Sequence, residues 1–168
     1  AKDIVYMDTN AVEWTLYFTN NGKVETPVLE KVNALDVSFE IKQHSKSAPF
    51  LHRLSGVVRG KEDFVPIDSK LETDKPVDFV GGSDGREALS SHDNLPFFNI
   101  NWGGGGVITA IGWTGYWGAS VEYTAEKNLK LSAGMKRMHL KLLPGETIRT
   151  PRVMQLYWVG DELNSYNL

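Results

Sequence analysis

The chain has 168 residues, of which 41% are hydrophobic and 23% charged, with no cysteine and a formal net charge of −3. This composition suits one globular domain with its own core, and the lack of cysteine excludes disulfides, zinc–thiolate centres and thiol nucleophiles. No basic stripe is present to attract phosphate, and no apolar run approaches the roughly 20 residues of a membrane span, so neither nucleic acid nor a bilayer core is an expected partner.

Strict alternation of apolar and polar residues begins at 13–19, where Trp14, Leu16 and Phe18 share one face and Thr15, Tyr17 and Thr19 the other. That period of two is the signature of a half-buried strand. It recurs in Val37, Phe39 and Ile41 against Ser38, Glu40 and Lys42, and in Met138, Leu140 and Leu142 against Arg137, His139 and Lys141. Further strands are expected at 50–57, 97–101, 107–113, 119–124, 128–133 and 153–158. Asn20-Asn21-Gly22, Gly81-Gly82 and Pro144-Gly145 punctuate them as turns. Residues 57–91, with Pro66, Pro76, Gly81, Gly82 and Gly85 among scattered charges, read as a long loop, and one helical turn at 83–91 is the single helix signal. Many short strands with little or no helix predict an all-β domain, a sandwich or barrel of antiparallel sheets. After the strand ending at Trp158, the polar tail beginning Val159-Gly160-Asp161 offers no further element and reads as a domain boundary.

The run Asn101-Trp102-Gly103-Gly104-Gly105-Gly106 lacks the Lys-Ser/Thr and following helix of a phosphate cradle. It is read as a hairpin turn whose glycines supply positive φ. Gly81-Gly82-Ser83-Asp84-Gly85 does not have nucleophile-elbow spacing. No two carboxylates single themselves out as a glycosidase pair, and Asp63 and Asp84 are explained equally well as turn residues. None of the four histidines shows metal-ligand spacing; His52, beside Arg53 in a strand-like run, is the one set apart for a site. No catalytic residue, metal or cofactor is expected in this chain.

The aromatics carry more information, because Trp102, Trp113, Tyr116 and Trp117 cluster around two glycine-rich turns. Indole faces stack on the C–H faces of sugars, while neighbouring carboxylates, amides and arginines hold the hydroxyls. Core placement is the competing reading for Trp113 and Trp117 and the favoured one for Trp14 and Trp158. A sugar site would draw on Trp102, Trp113, Trp117, Asp84, Arg86, His52 and Asp63.

Several segments together resemble a known family: Leu51-His52-Arg53-Leu54-Ser55-Gly56, Asp63-Phe64-Val65-Pro66, Gly81-Gly82-Ser83-Asp84-Gly85-Arg86 and Leu95-Pro96-Phe97-Phe98-Asn99. The most specific are Ala110-Ile111-Gly112-Trp113-Thr114-Gly115-Tyr116-Trp117 and Leu143-Pro144-Gly145-Glu146-Thr147-Ile148-Arg149-Thr150-Pro151. The chain thus resembles the N-terminal β-sandwich domain of the bacterial α-galactosidase and melibiase family of retaining glycoside hydrolases. That resemblance implies a supersandwich of the galactose-mutarotase-like type over residues 1–168, with Gly160-Asp161 and Asn167 resembling the hinge into a TIM barrel beyond Leu168. It places both catalytic aspartates on that barrel, so the sandwich itself is implied to be non-catalytic, with the barrel as intramolecular partner, galactosides met through the parent enzyme, and a homo-oligomer of the parent in view. It also leans towards an exported protein, although Ala1-Lys2-Asp3 is not the start of a signal peptide. Two other readings stand beside it: an autonomous carbohydrate-binding module, and a structural or oligomerisation domain with its aromatics at an interface.

Overall fold

A computed structural model of the chain describes residues 1–41, 48–57, 60–82 and 89–166. Its frame is a seven-stranded sheet facing a four-stranded one. The larger sheet runs β1 (Lys2–Tyr6), β2 (Ala11–Thr15), β15 (Arg152–Val159), β10 (Gly105–Gly112), β9 (Phe97–Asn101), β6 (Phe50–Leu54) and β7 (Pro66–Lys70). The smaller one runs β5 (Asn33–Glu40), β12 (Asn128–Met135), β11 (Trp117–Tyr123) and β8 (Val77–Gly81). Two short ribbons complete the strands: β13 (His139–Leu140) with β4 (Leu29–Glu30), and β14 (Thr147–Arg149) with β3 (Tyr17–Thr19). Each ladder between these strands is antiparallel and neither large sheet closes on itself among the described residues, so the expected β-sandwich is the fold observed.

The core lies between the sheets, where the inward positions of alternating strands meet. Ile100, Val107 and Val153 from the larger sheet and Leu35, Trp117, Val121 and Leu129 from the smaller have no exposed surface. Phe79 sits edge-on to Phe98 across the gap at 5.1 Å and edge-on to Trp117 at 6.0 Å, the geometry that ring quadrupoles favour. The Arg53 guanidinium closes this stack from its far side, 4.8 Å from the Phe79 centroid. Burial holds the Arg53 pKa below its ordinary value. Trp14 adds a polar tie by donating its indole N–H to the Ala34 carbonyl at 2.8 Å.

Glycines decide two close approaches. The turn between β9 and β10 is a tight hairpin: Gly103 and Gly104 have φ of 79° and 82°, and Trp102 N–H bonds the Gly105 carbonyl at 3.0 Å. Two successive positive φ values match the twist of the flanking strands, as expected from the glycine run. Gly106 serves a different need, since a Cβ there would lie 2.2 Å from the Trp158 ring and 2.3 Å from the Ile100 carbonyl oxygen.

Four expectations are corrected. The 13–19 run is two strands, because the Leu16 backbone leaves the ladder to bond Thr150 at both its N–H (3.1 Å) and its carbonyl (2.9 Å). The chain then changes partner from β15 to β14. The segment 57–91 contains β7 and β8, each the outermost strand of its sheet, where proline and charge are tolerated and blur the periodic signal. Of residues 138–142 only His139–Leu140 pair, although Met138 and Leu142 are buried as the alternation implied. The tail forms α1 (Glu162–Ser165), one turn lying against β15 and β10. The helical turn expected at 83–91 falls largely on residues outside those described, and no helix among the described residues is long and apolar enough to cross a membrane.

Replacing Gly106 by alanine is expected to cost about 2–3 kcal/mol, since both obstructing groups are packed and one is backbone. Urea unfolding would show a lower midpoint with an unchanged slope.

Candidate functional site

Strand register sorts the outward side chains into rows. On the smaller sheet Asp36, Ser132, Ser120 and Asp78 form one row, and Ser38, Lys130 and Glu122 the next. Small polar and charged groups, with Lys130 3.4 Å from Glu122, make this a solvated face. The larger sheet differs. One of its outward rows runs Tyr6, Ala11, Leu156, Ile108, Asn99, His52 and Asp68 across all seven strands. Its neighbour carries Ile4, Glu13, Met154, Ala110 and Phe97, continued by Leu54 and Pro66 on β6 and β7. Ile4 (51%), Phe97 (43%) and Phe50 (38%) are well exposed on it. These side chains make the outward face of the larger sheet much more apolar than that of the smaller one.

α1 crosses the polar end of this face and encloses a pocket of about 420 Å³ lined by His52, Leu54, Pro66, Asp68, Phe97, Ile108, Glu162 and Tyr166, among others. Trp158, lying over Gly106, donates its indole N–H to Asn99 Oδ1 at 2.9 Å. The same amide donates to Ser165 Oγ at 3.0 Å, and Asn101 donates to Glu162 Oε2 at 3.1 Å. These two asparagines, alternate residues of β9, anchor the helix. His52 stacks on Phe50 at 6.2 Å. Its Nδ1 meets Asp68 Oδ1 at 2.8 Å, and its Nε2 faces Glu162 Oε1 at 3.6 Å. Tyr166 donates its hydroxyl to the same Glu162 oxygen at 2.8 Å. That hydrogen bond, followed by desolvation and by the charges of Glu162 and Asp68, pushes the Tyr166 pKa up to about 12. No group of three or more metal-ligating side chains occurs among the described residues.

The structure does not gather the residues chosen from sequence. Of those among the described residues, His52 alone lies in the pocket. Trp102 is half-buried, edge-on to Phe39 at 6.1 Å, beside a cleft of about 310 Å³ shared with Ile41, Tyr157 and Val159. Trp113, under the Arg149 guanidinium at 5.6 Å, lines a separate depression with Tyr116 and Arg137. The two tryptophans flank opposite ends of β10, a strand about 24 Å long at its ordinary rise. Trp117 is wholly buried and donates its indole N–H to the Ser90 carbonyl at 2.7 Å, so its ring belongs to the core and presents no face to a sugar. Asp63 sits in the β6–β7 turn, where Oδ1 accepts the Gly60 N–H at 3.3 Å. Asp84 and Arg86 lie outside the described residues. Sequence reasoning missed Asp68, Glu162, Tyr166, Asn99 and Asn101. The one local signal was the pair of asparagines at alternate positions of Phe97-Phe98-Asn99-Ile100-Asn101, polar groups where an apolar strand face was expected.

No family model matches this sequence, and no curated protein does. Solved structures do. The GH36 α-galactosidase AgaA from Geobacillus stearothermophilus superposes with a TM-score of 0.72 over 92% of this chain and 21% of its own, at 20% identity. The α-galactosidase from Lactobacillus brevis gives 0.71 over 90% and 20%, at 16% identity. The galactosidase domain of the α-galactosidase–sucrose kinase AgaSK gives the same four values. Variants of AgaA with raffinose or stachyose bound are also similar. At such identities the likeness is one of fold, and the chain spans about a fifth of the length of these proteins.

Because the neutral phenol is the form the fold favours, Tyr166 stabilises the docked helix fully below about pH 10. That contribution is lost as the pH rises through about 12. Spectrophotometric titration should show Tyr166 ionising late, and Glu162→Gln should return its midpoint towards the ordinary value while leaving that of Tyr157, which burial also raises, unchanged.

Proposed function

We propose that this sandwich is the non-catalytic N-terminal domain of an α-galactosidase-like glycoside hydrolase, whose catalytic barrel packs on the outward face of the seven-stranded sheet. The observation that carries the reading is the fold match over 90–92% of this chain to about a fifth of proteins named as α-galactosidases. The asymmetry of the two outward faces supports it: one is polar and suited to water, the other apolar across most of its strands. Covering the apolar face removes it from water, the dominant favourable term in such packing.

In this reading the chemistry belongs to the barrel, and galactosides are its substrates. The carboxylates of the pocket have a structural use here, since Asp68 and Glu162 accept hydrogen bonds from His52, Asn101 and Tyr166. The separation of Trp102, Trp113 and Trp117 supports this reading over an autonomous sugar-binding module, which would be expected to present a compact aromatic platform.

The test compares this chain with the complete gene product. The gene product is expected to release the phenol from a nitrophenyl α-galactoside, whereas the 168-residue chain does not, and galactose, melibiose and raffinose leave the chain's amide spectrum unmoved. Saturable sugar shifts abolished by Trp102→Ala would instead make it an autonomous binding module.

A further inference from the structure

We infer that the pocket under α1 receives a basic side chain, an arginine or lysine carried on the protein surface that packs against this sheet; the inference rests on the packing reading above. Its walls are apolar, formed by Leu54, Pro66, Phe97 and Ile108, which suits the methylene stem of such a residue. Its rim is made of hydrogen-bond acceptors. His52 turns Nδ1 to Asp68 at 2.8 Å, while its buried Nε2 has no hydrogen-bond partner and stands 3.6 Å from Glu162. Tyr166 spends its proton on Glu162, leaving oxygen lone pairs. Asn99 is engaged at both ends by Trp158 and Ser165.

The charge balance points the same way. Asp68 and Glu162 have side chains 59% and 41% exposed, within reach of an incoming group. Arg53 is the one fixed cation among the lining residues, and it does not neutralise them. Its guanidinium is directed to the other side of the sheet, over Phe79 at 4.8 Å and onto Asn94 Oδ1 at 3.0 Å. Two reachable carboxylates above an apolar cavity, with no lysine or arginine among the lining residues directed at them, complement a guanidinium or ammonium group on an apolar stem.

The test titrates the 168-residue chain with Nα-acetyl-arginine methylamide and, separately, with the uncharged citrulline analogue, followed by amide and side-chain chemical shifts. The arginine probe should give saturable shifts confined to β6, β7, β9 and α1, at least about tenfold tighter than citrulline. Glu162→Gln should weaken it, but Glu162 also anchors α1, so Asp68→Asn, which leaves the helix contacts in place, is the decisive variant. It should weaken the arginine probe several-fold, while Glu122→Gln on the opposite face changes nothing. Equal response to the two probes, or an Asp68→Asn variant that binds arginine as the parent does, would overturn the inference. Arginine binding by the chain without galactosidase activity in the gene product would sink the packing reading alone, and the reverse pattern the pocket alone.

Discussion

The antiparallel ladder between β10 and β15 aligns eight residue pairs, from Gly105 with Val159 to Gly112 with Arg152, and most of the molecule's surface chemistry descends from that alignment. A slip of β10 by one residue would send Val107 and Ile111 outward and bring Ile108 into the core, and a slip of β15 would exchange Val153 and Met154 in the same way. The same register sets Trp158 opposite Gly106, where only a residue without a side chain lets the indole lie flat and reach Asn99. α1 docks on that asparagine and on Asn101. A ladder in the centre of the sheet thus determines where the terminal helix rests, and with it the shape of the pocket.

Packing of the two sheets then assigns different roles to their outward faces. Cross-sheet contacts such as Phe79 with Phe98 consume the inward residues of both, leaving each sheet to meet its surroundings with the other half of its alternation. In the smaller sheet that half is serine, aspartate, glutamate and lysine, which water satisfies at no cost. In the larger sheet it is mostly aliphatic and aromatic, interrupted by Glu13, by Asn99 and Asn101, and by His52 and Asp68 towards the β7 edge. The difference between the wetted face and the apolar one is the asymmetry on which the proposed packing rests.

What was legible in the sequence was what local rules fix. Five of the expected strands overlap β9, β10, β11, β12 and β15 almost end to end, because long alternations on central strands carry a strong period-two signal. The glycine hairpin was legible for the same local reason, since positive φ at two adjacent positions has few other solutions. β7 and β8 were hidden because edge strands carry proline, charge and short runs, and the break at Leu16 was hidden because its cause, Thr150, is remote in the chain. The tryptophans illustrate the limit well: Trp102, Trp113 and Trp117 are close in sequence, yet one caps a hairpin, one lies under an arginine and one is sealed in the core.

Local chemistry along the chain was enough to show that it is built of alternating strands and where its tightest turn lies, and its dispersed motifs carried a resemblance to a known fold. That Asp68 sits beside His52, and that Glu162 reaches back towards His52, came from the folded chain alone. Those meetings depend on register between strands and on the docking of a four-residue helix too short to be stable alone. Alternation says that a strand has two faces, but which face is buried, and what then gathers on the other, is settled by the partner strand across the ladder.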